Sequence, residues 1–206
     1  MEETAGSGLV KGFRMIWAIM KLNLFFVGMT LAGGIVFGIG PAFYTVSSLI
    51  ESDGLAYEAQ TFRKSWQIWK AGFWRANKQF YLFLGLTAFL TYNLYLATQF
   101  QGLMWLVVSF ILFVVIGLSI LLYLLSVTFD ACYELSFANN LKLSFISLFL
   151  RMGTCLKLIF GLAGILLITW TMKGLLLFGT FSLLLLWVHG ALKQERELIE
   201  RDLTDA

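Results

Sequence analysis

Asp130 and Glu134 stand four residues apart, the spacing that puts two carboxylates on one face of a helix, beside Asn139, Asn140 and Lys142. Paired carboxylates in a membrane protein relay protons or bind a cation, and together with His189 they are candidates to line a polar path. The plainer reading is a solvated helix end whose charges pair with Lys142 or Arg151. His189 is the single histidine, so it excludes a two-histidine metal site, although its ordinary pKa would permit pH sensing. Cys132 and Cys155 form no C-x-x-C pair and read as packing residues. The chain holds no G-x-x-x-x-G-K-[ST], no H-E-x-x-H and no G-x-S-x-G, and Glu58-Ala59-Gln60 lacks the glycine of an importer permease loop. The expectation is a non-enzymatic protein with no catalytic residue, metal or cofactor.

The elements that must position these residues follow from composition. Of 206 residues 59% are hydrophobic and 13% charged, with one proline, and the mean hydropathy is +0.82. Apolar runs long enough to cross a hydrocarbon layer ~30 Å thick occur at 22–50, 80–98, 103–129, 152–172 and 174–192. Backbone groups in lipid need internal partners, and Leu-, Ile- and Phe-rich runs satisfy them as helices. The predicted fold is therefore all-α: one polytopic membrane domain over 1–206 with about five transmembrane helices. An N-terminal amphipathic segment (1–21), a basic interfacial helix (55–79) and a charged C-terminal tail (193–206) complete it. The first apolar run exceeds the core of a secretory signal, so it is expected to remain in the mature protein. Arg151 and Lys157 are expected at the membrane surface, where their stems can snorkel.

Orientation comes from the fifteen Lys and Arg. Placing 51–79, 130–157 and the C-terminus in the cytoplasm puts eleven inside, with the N-terminus outside if 22–50 is one kinked span. If 22–50 dips in and returns, the N-terminus is cytoplasmic and fourteen of the fifteen lie inside. The kinked span is the leading expectation, because 29 residues make a cramped hairpin. The kink is predicted at Gly40-Pro41, where proline removes a helical hydrogen bond. Gly34 with Gly38, and Gly28 with Ala32, have the small-x-x-x-small spacing of close helix contacts, within the chain or in a homo-oligomer.

Residues 55–79 are the most informative polar stretch. Phe62, Trp66, Trp69 and Phe73 recur at helical spacing on one face, with Arg63, Lys64, Lys70, Arg75 and Lys78 on the flank and opposite side. Such a helix lies among the headgroups of an anionic leaflet or docks a protein partner through its aromatic face. The net charge of +3 is spread between the apolar runs and gives no footprint for nucleic acid.

Three regions in order, Val36-Phe37-Gly38-Ile39-Gly40-Pro41-Ala42, the aromatic-basic segment 61–80, and Asn139-Asn140-Leu141-Lys142-Leu143-Ser144, resemble the YesL family of small bacterial membrane proteins. The resemblance covers most of the chain and none of the regions is a catalytic motif. It implies a bacterial cell-membrane location and a role beside carbohydrate ABC importers or their membrane sensor kinases. The expected function is an accessory, non-enzymatic subunit that touches a permease or sensor through 55–79. The alternative is a small transporter or channel whose path involves Asp130, Glu134 and His189.

Overall fold

The computed structural model describes residues 2–133, 135–150 and 152–204. Among them there are eight helices and no strand: α1 Glu2–Ala32, α2 Ile39–Asp53, α3 Phe62–Ala97, α4 Leu103–Cys132, α5 Phe137–Leu150, α6 Met152–Thr171, α7 Leu175–Phe178 and α8 Thr180–Thr204. Four stretches are long and apolar enough to cross a membrane: Val10–Ala32, Phe62–Ala97, Leu103–Cys132 and Gly153–Thr171; the shorter apolar stretch Thr180–Lys193 accompanies them. The chain is a polytopic helical membrane protein. Glu134 and Arg151 lie outside the described residues.

The run 22–50 is not one kinked span. It turns over at 33–38, between α1 and α2, where Gly34 has φ 69° and Ile35 has φ 65°. Left-handed backbone suits glycine, and the β-branched Ile35 is strained there. A Cβ on Gly38 would strike the Thr30 carbonyl, so the turn closes only because that position is bare. Pro41 does not kink a helix. It sits in the first turn of α2, where a missing N–H has no intrahelical partner to lose. The hairpin is roomy because α1 begins far upstream of residue 22 and α2 runs on to Asp53.

Lys21 Nζ donates to the Tyr57 carbonyl at 2.7 Å, so the polar side of α1 and the α2–α3 loop share one end of the molecule. With the spans alternating from that end, the described Lys and Arg other than Lys173 fall on one side. Single cysteines at positions 10 and 70 are therefore expected to have the same accessibility to an impermeant maleimide, and position 100 the opposite one. Labelling of 10 and 70 from opposite faces of the membrane would refute the hairpin.

The predicted interfacial helix is likewise not separate. No breaker stands between Lys78 and Phe80, and α3 continues for 36 residues, about 54 Å at 1.5 Å per residue. Its first half packs against α2: a Cβ on Gly40 would come within 2.8 Å of Phe80 Cβ and 2.9 Å of the Ala76 carbonyl, and the Tyr44 ring lies over Gly72. Gly40 thus makes a true close approach. Gly28 has open space around it and Ala32 is exposed, while Gly34 sits in the turn, so none of the three seats a helix contact within the chain.

α4 runs back along α3, joined by the hydroxyls of Thr87 and Ser119 at 3.3 Å and by Gln79 with Ser126. α6 packs on α8, with the Trp187 ring over Gly161, its Nε1 donating to the Lys157 carbonyl at 3.0 Å, and Thr169 paired with Thr180 at 2.9 Å. Two apolar clusters fill the interior. One joins Leu22, Met29, Val46, Leu49 and Leu185 from α1, α2 and α8; the other joins Leu125, Phe129, Leu158, Val188 and Leu192 from α4, α6 and α8. The outer halves of α3 and α4 stand apart, paired mainly with each other, and Phe89, Tyr92, Phe110 and Phe113 are exposed.

Candidate functional site

The ends of α2 and α4 meet the middle of α8, and polar side chains from all three converge there. Ser47 and Glu51 lie one turn apart on α2, and His189 and Arg196 lie two turns apart on α8, so each pair shares a helix face. The Ser47 hydroxyl is 2.9 Å from His189 Nε2. Arg196 grips Glu51 with both terminal nitrogens, Nη1 at 2.6 Å from Oε2 and Nη2 on Oε1. The Cys132 thiol donates to Glu51 Oε2 at 3.3 Å, and His189 Nδ1 lies 3.6 Å from the same oxygen. Tyr133 also hydrogen-bonds Arg196. Burial raises the Glu51 carboxyl pKa, but the Arg196 hydrogen bond and charge, with the Cys132 hydrogen bond, outweigh it and hold the group below its ordinary value. Burial likewise opposes the Arg196 charge, and the bond to Glu51 outweighs it.

Beside this cluster an open cleft of about 510 Å³ is lined by Tyr44, Arg75, Asp130, Cys132, Tyr133 and Leu135. Arg75 bridges from α3 to the Asp130 carboxylate and donates to the Leu135 carbonyl at 2.8 Å. Gln79 and Asn140 continue the polar seam onto Ser126, the latter donating to its carbonyl at 3.0 Å.

The expected polar path divides into two separate pairings: Asp130 with Arg75, and His189 with Ser47 and Glu51. Glu134 lies outside the described residues. Arg75 thus has Asp130 as a partner within the chain while its side chain stays 44% exposed, and Lys64 pairs with Asp53. Arg63, Lys70 and Lys78 remain exposed, with Lys70 Nζ 5.3 Å from the centre of the Trp66 ring.

The aromatic stripe also turns inward. Trp69 is 9% exposed and belongs to the α1–α2–α8 core, stacked on Trp66 at 4.9 Å and edge-on to Phe73 at 4.8 Å. Phe62 is exposed but leans towards Phe25 of α1 at 6.4 Å. The face expected to dock a partner is the packing face of α3 on α1 and α2, because the hairpin folds back to cover it.

Glu51, Arg196 and Ser47 were not singled out by local spacing, and Cys132 reads as packing from sequence. The one local signal is the polar register Ser47 and Glu51 at the end of an apolar run. Residues 19–94 match the family model described as Protein of unknown function, DUF624. This agrees with the family resemblance of the sequence. The DUF624 region takes in the α1–α2 hairpin and most of α3, and with them Ser47, Glu51 and Arg75; Asp130, Cys132, His189 and Arg196 come from beyond it. No curated protein and no solved structure matches the chain.

Proposed function

We propose that the protein is a non-enzymatic accessory subunit of the cell membrane that steadies a carbohydrate importer permease or its membrane sensor. The observation that carries this reading is the division of its surface. Ionisable groups between its helices are paired with one another, the buried Asp130 with the exposed Arg75 and the half-buried Arg196 with Glu51, which favours holding helices over conducting ions. The outer halves of α3 and α4 form a two-helix arm whose exposed aromatic and aliphatic side chains suit contact with the helices of another membrane protein. The family resemblance supplies the partner class. The docking surface in this proposal is therefore the arm, in place of the covered face of Trp66 and Trp69.

Affinity purification from native membranes tests it, with peptide identification of what accompanies the protein. A permease or sensor kinase should accompany the wild type and be lost from a Phe110→Ala, Phe113→Ala double variant that still inserts and runs at its normal size. Retention of the same partner by that variant would remove the arm from the interface. Uptake of a cation by proteoliposomes holding this chain alone, abolished by Asp130→Asn, would favour the transporter reading.

A further inference from the structure

Glu51, Cys132 and His189 offer one carboxylate oxygen, one sulfur and one ring nitrogen that all lie within 4.8 Å of one another. We propose that these three residues form a binding site for a divalent transition-metal ion of the zinc class, which clamps the ends of α2 and α4 onto α8. The donor set of one thiolate, one imidazole and one carboxylate is that of a borderline-soft ion and not of magnesium or calcium.

The spacing fits. A tetrahedral ion with bonds of ~2.0–2.3 Å holds its ligand atoms roughly 3.4–3.6 Å apart. His189 Nδ1 is 3.6 Å from Glu51 Oε2, too long for a good hydrogen bond, and Cys132 Sγ is 3.3 Å from the same oxygen. Ser47 supplies the outer support such sites use: with an ion on Nδ1 the ring proton sits on Nε2, which then donates to the Ser47 hydroxyl oxygen 2.9 Å away. Arg196 stands where the cation's charge is needed. On binding, Oε2 passes from Arg196 Nη1 to the ion while Oε1 keeps Nη2, and the Cys132 thiol gives its proton to water. The dication, thiolate and carboxylate then sum to zero, with Arg196 retained as the outer partner of Glu51. Cys132 also lines the open cleft of about 510 Å³, which provides an entry route and room for a water as fourth ligand.

The test uses the full chain in detergent, carried on a tag without histidine, stripped with chelator and titrated with Co(II). One cobalt per chain is expected, with the near-ultraviolet absorption of a thiolate–cobalt bond, bleached when Zn(II) is added. Cys132→Ser should abolish that absorption and Cys155→Ser should leave it. Ser47→Ala should weaken cobalt affinity by about 10–100-fold. Glu51→Gln provides an independent ligand deletion should Cys132→Ser fail to fold, and it too should lose the cobalt. No thiolate–cobalt absorption in the wild type, or an absorption that survives Cys132→Ser or disappears in Cys155→Ser, would overturn the proposal.

Discussion

Trp69→Ala is expected to lower the stability of the whole protein by about 3–5 kcal/mol, the usual cost of truncating a buried large aromatic. Trp69 is 9% exposed and packs in the cluster that joins α1, α2 and α8, so its removal loosens the hairpin against the first half of α3. Phe62→Ala, on the same stripe but exposed, should cost less than about 1 kcal/mol. Thermal unfolding in detergent followed by tryptophan fluorescence reads the difference. Equal and small effects at both positions would mean that the stripe faces outward after all.

The second large effect lies at Arg75 and Asp130. Arg75→Gln should cost about 3 kcal/mol, because the Asp130 side chain is 2% exposed and is left as an unpaired buried carboxylate. Asp130→Asn should cost about 1 kcal/mol, since Arg75 is 44% exposed and water can take up its charge. The double variant should be more stable than Arg75→Gln alone, the sign of coupling between the two sites. A double variant as unstable as the sum of the singles would mean that Arg75 acts through the Leu135 carbonyl alone.

These two effects also show how far the sequence was legible. Apolar runs at 80–98, 103–129 and 152–172 fall on α3, α4 and α6 to within one residue, because a long run in lipid has few alternatives to a helix. Boundaries were misread where polar residues interrupt a helix that tertiary contacts nonetheless sustain. Lys11, Arg14 and Lys21 hid the start of α1, and the basic flank of 62–79 made one helix look like two. From sequence a re-entrant turn in 22–50 ranks second and falls at Gly40-Pro41, whereas the chain turns earlier, at 33–38, where Gly34 supplies the positive φ. Trp66 and Trp69 were correctly read as one face, but periodicity gives the face and not what covers it. Of the polar cluster the sequence points to His189 alone, and not to its partners. Cys132 and Arg196 reach Glu51 across 81 and 145 residues of chain, so no local spacing relates them.

The claim that the protein acts through its α3–α4 arm is tested most directly by site-specific photo-crosslinking in native membranes. A photoreactive residue at position 113 on the arm is compared with one at position 129, which is fully buried beneath α8. The account predicts a covalent adduct to a permease or sensor subunit from position 113 and only intramolecular products from position 129. Adducts to lipid alone from position 113, with the partner captured instead from the exposed basic flank at Lys70, would contradict it.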